Sequence, residues 1–233
     1  MMKSRKMQAR DQQSRESHSE DSSGDIHADV APSPLVSRKQ MLGYFDVLRD
    51  ALAATQVSDR DGHSFGQEVA ASLVIAWARE AHAEGRKLIF IGNGGSAAIA
   101  SHMAVDYSKN GGLRAVCLND GAMLTCLGND LGYEQVFARQ IDLFAQPGDL
   151  LIAISSSGRS PNILNAVAVA EQRGCRIVTL SGFAPDNPLR SQGDINFYLA
   201  SDQYGFVEIG HLTLCHAILD FACGQRVPLP AAG

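Results

Sequence analysis

The sequence predicts an α/β fold: a doubly wound, five-stranded parallel sheet with helices on both faces, preceded by a helical hairpin. Three observations predict it. Short, almost uninterrupted apolar runs recur at residues 88–91, 113–118, 150–154, 175–180 and 195–199, as in strands buried on both faces. Segments of helical periodicity alternate with them, and strand–helix alternation builds parallel sheets covered on both sides. Two of the runs lead directly into turns rich in Gly or Ser, on the sheet edge where such folds bind ligands.

Bulk properties narrow the function. The chain has 233 residues, 45% of them hydrophobic, enough for one α/β domain of ordinary size with extensions. Its net charge is −5, so bulk electrostatics recommend no nucleic-acid partner. Five scattered cysteines (Cys117, Cys126, Cys175, Cys215 and Cys223) form no CxxC and suit reduced thiols in a cytoplasm. No apolar run approaches the ~20 residues that span a bilayer, and the N-terminus lacks the apolar core of a secretory signal. Residues 1–38 are Ser, Asp, Arg, Gln and His with few large apolar side chains, the composition of a disordered polar tail. Residues 39–226 form the single domain, and 227–233 a C-terminal tail.

The elements follow in order. Met41, Leu42, Tyr44, Phe45, Leu48 and Leu52 recur at helical spacing over 40–55. A second helix follows Asp61-Gly62 with Phe65, Val69, Leu73, Val74, Trp77 and Ala81, ending near Gly85. Trp77, in that apolar stripe, reads as core. The two helices make the leading hairpin and carry more apolar surface than one sheet face covers, so they are expected to pack on another subunit.

Strand 88–91 opens into Gly92-Asn93-Gly94-Gly95-Ser96 and a helix. Glycines let the backbone approach a ligand. Ser96 is the expected N-cap, and free N–H groups at a helix start attract anions. The pattern is neither the dinucleotide fingerprint nor the P-loop, which needs a Lys after the last Gly. His102 and Asp106, four apart, share a face of that helix. Strand 113–118 leads into Asn119-Asp120-Gly121, a turn and helix start. Gly128-Asn129-Asp130 is expected to break that helix in a tight loop. A helix over 133–145 follows, and Pro147-Gly148-Asp149 turns into strand 150–154.

That strand ends in Ser155-Ser156-Ser157-Gly158-Arg159-Ser160, and Pro161 opens a helix to about 173. Hydroxyls with helix N–H groups spell an oxyanion cradle for phosphate; Arg159 is expected to stay exposed. Strand 175–180, a loop 181–187 and an edge strand 195–199 follow. The last helix, 205–223, carries Glu208, His211, His216 and Asp220. Glu208 and His216, eight apart, share a face, while His211 lies about 140° round from His216.

The GNGGS turn before a helix with His102, then Gly128-Asn129-Asp130, then SxSGxSxN, then a late helix with an acidic or amide residue and His216, resembles the sugar isomerase (SIS) domain family, phosphoheptose isomerase branch. The resemblance covers about 42–221. It implies a homotetramer with active sites at subunit interfaces that bind a sugar phosphate. It implies substrate contacts at Asn93, Gly94, Ser96, Asn129 and Asp130, and a phosphate turn of Ser155, Ser156, Ser157 and Ser160. It implies zinc or a similar divalent ion on His102, Asp106, Glu208 and His216, with Asp106 as base and His216 as acid–base partner. Asp106 stands where the family has Glu, and Glu208 where it has Gln. The implied activity is aldose–ketose isomerisation of sedoheptulose 7-phosphate to D-glycero-D-manno-heptose 7-phosphate, a precursor of surface-polysaccharide heptose. The alternatives are an isomerase of another sugar phosphate, or a non-catalytic SIS module that senses sugar phosphates or binds a protein.

Overall fold

The computed structural model describes residues 35–226; the tails expected at either end lie, apart from 35–38, outside it. Helix α1 (Arg38–Ala53) and α2 (Gln67–Ala83) flank two short strands, β1 (Gln56–Ser58) and β2 (Ser64–Phe65). Next come β3 (Leu88–Gly92), α3 (Gly95–Lys109), β4 (Ala115–Cys117) and α4 (Gly121–Leu131). A 3-10 turn (Tyr133–Gln135) precedes α5 (Val136–Phe144), then β5 (Leu150–Ser155), α6 (Pro161–Gln172) and β6 (Arg176–Ser181). A second 3-10 turn (Pro188–Ser191), β7 (Ile195–Tyr198) and α7 (Tyr204–Ala222) complete the described chain.

The strand order is β2-β1-β7-β6-β5-β3-β4. The five strands from β7 to β4 are parallel, as the alternation predicts. The sheet nonetheless has seven strands among the described residues, because β1 and β2 add an antiparallel pair beside β7. The connection between α1 and α2 is therefore a β-hairpin rather than a simple helical turn, and β7 is not an edge strand. Two or three residues are too few to show an alternating pattern in sequence.

Consecutive strand residues point to opposite faces, and each face has its own core. Leu88, Phe90, Ile152, Ile154 and Val178 pack under α2, α3 and α7. Ile89, Ile91, Leu151, Ala153 and Ile177 pack under α5 and α6. The chain order reverses between β3 and β5, so a crevice opens there at their carboxyl ends, between α3 on one face and α6 on the other. The glycine turn follows β3 and the serine turn follows β5. Both cradles thus flank one crevice.

Three local expectations need correction. Asp120 does cap α4, accepting from Met123 N at 2.9 Å, but Gly128, Asn129 and Asp130 do not break it. They form its last turns, and the chain leaves at Gly132, φ +91°. Poor helix formers are tolerated where the helix is about to end. Ser96 is not the N-cap of α3. Gly94, at φ +52°, takes that place, and Ser96 is buried as the second helical residue. The helix expected over 133–145 starts as a 3-10 turn before becoming α5.

Candidate active site

The two turns are tied together across the crevice. Asn93 Nδ2 donates to Asn162 Oδ1 and Asn162 Nδ2 donates back to Asn93 Oδ1, both at 2.9 Å. Tyr133 Oη adds a third bond to Asn93 Oδ1 at 3.2 Å. Asn93, expected from sequence to touch substrate, bridges the two turns through its carboxamide. Asn162 stands in the serine motif without an assigned role, and Tyr133 carries no sequence signal. Asn129 and Asp130 are exposed at the end of α4, where Asn129 Nδ2 donates to Asp130 Oδ1 at 2.8 Å.

The serine turn gathers hydroxyls at the start of α6. Ser160 is the N-cap residue of α6, its side chain makes no capping bond, and Pro161 follows it. Ser155 Oγ donates to Ser160 Oγ at 3.4 Å, and Ser157 Oγ accepts from Arg159 N at 3.2 Å. Ser156 Oγ is buried with no hydrogen-bond partner among the described residues. A buried orphan hydroxyl is costly unless something completes it. Gly158 turns at φ +60°, and a Cβ there would overlap the Asn187 side chain. Asn187 Nδ2 donates to Gly182 O and Ala184 O, which locks the loop after β6. Arg159 stays exposed, as expected, and pairs with Asp186 at 2.8 Å.

Two turns down α3, the side chains of His102 and Asp106 meet His216 of α7. His102 Nε2 lies 3.1 Å from His216 Nε2 and 3.5 Å from Asp106 Oδ2, and His216 Nδ1 lies 3.9 Å from Asp106 Oδ2. One ligand atom from each falls within 4.8 Å of the others. Two imidazoles and a carboxylate in that compass suit zinc or a similar divalent ion. Glu208, the expected fourth ligand, does not join them. Its carboxylate rests on Gly95 at the start of α3, so closely that a Cβ there would collide with it.

His211 faces the core. Its Nε2 lies 3.0 Å from Ser181 O at the end of β6, its Nδ1 is buried without a partner, and burial pulls its pKa down to about 4. It is thus a neutral structural histidine.

Comparison with known proteins agrees with this geometry. The family model described as SIS domain matches residues 65–182. The chain is 37% identical over 179 residues to the phosphoheptose isomerase of Pelobacter propionicus, covering 74% of this chain and 92% of the relative. It superposes on a phosphoheptose isomerase structure from Francisella tularensis with TM-score 0.69 at 25% identity, covering 82% of this chain and 100% of that one. A phosphoheptose isomerase from Neisseria gonorrhoeae gives TM-score 0.65 at 26% identity, covering 79% and 98%.

Proposed function

The chain belongs to the phosphoheptose isomerase branch of the SIS domain family, and from that premise we propose that it interconverts sedoheptulose 7-phosphate and D-glycero-D-manno-heptose 7-phosphate through an enediol. The observation that carries the reading is the joint presence of two anion-binding turns at one crevice and a His102–Asp106–His216 cluster on the helix leaving it. The serine turn, at the start of α6, grips the phosphate and supplies remote binding energy that orients the reacting carbons. Asp106, an acceptor-only group when ionised, takes the proton from the carbon beside the carbonyl. The same proton is returned to the neighbouring carbon. His216 moves the hydroxyl proton to the carbonyl oxygen, and can do so because one ring nitrogen donates while the other accepts. His102, Asp106 and His216 are the residues that would hold a divalent ion. Such an ion, when bound, polarises the carbonyl and hydroxyl oxygens.

A homo-oligomer, read here as a tetramer with sites at subunit interfaces, is supported by α1. It buries none of its residues, and Met41, Leu42, Tyr44, Phe45 and Val47 stand exposed on it. Contiguous exposed apolar surface marks association. His102 is also half exposed, its side chain at 50%, which leaves room for a neighbouring subunit to complete the site. A cytoplasmic location fits the five free cysteines.

The test is proton exchange in deuterated water with sedoheptulose 7-phosphate. Deuterium at C1 or C2 with appearance of an aldoheptose phosphate is the expected result. No exchange with metal bound redirects the reading to another sugar phosphate. No exchange and no metal favours a binding module.

A further inference from the structure

The serine turn rests on the loop that follows β6, and backbone bonds join the two. Gly182 N donates to Ser156 O at 3.0 Å, and Leu189 N donates to Gly158 O at 3.2 Å. The side chain of Asn187, 2% exposed, lies between loop and turn. Its Nδ2 faces three acceptors of its own segment: Ala184 O at 2.9 Å, Gly182 O at 3.2 Å and Ser181 Oγ at 3.4 Å. Those oxygens fix which end of the carboxamide is nitrogen, since a flipped amide would set its own oxygen against two carbonyls. The oxygen end is therefore aimed the other way, at Gly158. A Cβ at Gly158 would overlap Asn187 Oδ1, and Oδ1 is buried with no hydrogen-bond partner among the described residues.

The carboxamide belongs to a larger buried network. Asn196 Nδ2 donates to Thr179 Oγ1 at 2.8 Å and to Ser181 Oγ at 3.2 Å, and His211 Nε2 lies 3.0 Å from Ser181 O. Thr179, Ser181, Asn196 and His211 are fully buried. Buried polar groups cost stability unless joined, and joined they specify one geometry. This network runs from α7 and β7 through the end of β6 and finishes under the serine turn. Gly158 sits at that finish, at φ +60°, between Ser157 and Ser160. A glycine leaves the backbone several conformations. The turn's own residues do not choose among them; the carboxamide beneath Gly158 does.

We propose that Asn187 is a positioning residue for the serine turn. Through Gly158 it holds the hydroxyls of Ser155, Ser157 and Ser160, and the N–H groups at the start of α6, in the arrangement that receives a phosphate. It does so from below, without touching the phosphate. The role rests on the reading of that turn as the phosphate site. Gly158 and Asn187 then act as one unit: the glycine makes room for the carboxamide, and the carboxamide orders the turn that the glycine leaves free.

The test uses the full-length protein with inorganic phosphate as the probe. Its Kd is measured by titration calorimetry, beside KM and kcat on sedoheptulose 7-phosphate. Asn187→Ser takes the oxygen away from Gly158, and Gly158→Ala strikes the same contact from the other side, so either variant reports if the other does not fold. Each is expected to raise the phosphate Kd and KM roughly tenfold, with kcat within about threefold. In the double variant Gly158→Ala should cost at least about threefold less than it does alone, because the oxygen it strikes is gone. A merely structural role lowers Tm in Asn187→Ser and leaves the phosphate Kd unmoved, and that result overturns the proposal. So does a double variant whose Kd is the product of the two single effects. A wild-type protein that binds phosphate but turns over no sugar phosphate overturns the isomerase reading alone, and the Kd comparison still decides the role of Asn187. A wild-type protein that binds no phosphate, or binds it unaffected by Ser157→Ala, overturns the reading of the turn and the role of Asn187 with it. That outcome is recognised before any Asn187 variant is compared.

Discussion

Acidification should destabilise this fold through one residue. His211 is fully buried on α7, holds the end of β6 by its bond to Ser181 O, and has its pKa pulled down by burial from 6.5 to about 4. The folded state keeps the ring neutral while the unfolded chain takes up a proton below about pH 6.5. More protons on the unfolded state mean that stability falls as pH falls. The contribution is complete above the unfolded pKa, declines from about pH 6.5 and levels off near pH 4, where the folded ring also protonates. A span of about 2.5 pKa units is worth about 3 kcal/mol, and at pH 5 about 2 kcal/mol is already lost. Arg173 hydrogen-bonds Asp142 and holds it below the ordinary carboxylate range, so its effect comes at more acid pH. Substitution His211→Gln keeps an N–H donor for Ser181 O and removes the titration. Urea unfolding at pH 7.5 and pH 5, at one fixed protein concentration, should show wild type losing about 2 kcal/mol more than the variant. Equal losses in the two proteins would refute the reasoning, since every other acid-sensitive group is common to both.

Three other predictions address the site and the frame. Asp106→Asn removes the proposed base and should lower kcat at least ~100-fold with Tm unchanged within a few degrees; turnover at the wild-type rate would sink the assignment. Gly158→Ala places a side chain in the left-handed region against Asn187, about 1–2 kcal/mol of strain, which should appear as a roughly tenfold rise in KM for the sugar phosphate. Asp149 is fully buried, accepts from Lys87 N at 2.9 Å and Gln146 N at 2.8 Å, and pairs with Lys87 Nζ at 2.6 Å. Asp149→Ala should therefore cost about 3 kcal/mol by urea unfolding while leaving KM where it was, because the contact lies at the opposite end of β3 and β5 from the crevice.

The parallel strands and both turns were legible because their signals are local. β3 and β5 are buried throughout, so they read as apolar runs, and a turn's residues are contiguous in sequence. The pairing of His102 with Asp106 follows from helical spacing alone. What the sequence withheld depends on contacts between distant segments. β1 and β2 exist because β7 offers an edge, not because their own residues insist. The bond that joins Asn93 to Asn162, 69 residues away, has no signal in the sequence. Glu208 and His216 share a face, yet nothing in their spacing shows that Gly95 captures one and His102 the other. The GND string reads as a loop because its residues favour turns, and only the position of Gly132 shows that the helix outlasts them.

The shared direction of α3 and α7, which meet at Gly95 with Glu208 and again at Tyr107 with Cys215, has an electrical consequence. Antiparallel neighbours would cancel their macrodipoles; these two add, each with its positive end toward the crevice, and α6 brings a third positive end to the same edge from the other face. The groove between α3 and α7 is therefore polarised from top to bottom. On the proposed reading, a linear substrate with one anionic end enters it one way round, with the phosphate at the crevice and its uncharged end trailing. Ketose and aldose carry the same phosphate, so on that reading both lie in the groove in the same sense, and the reverse reaction needs no reversal of the molecule.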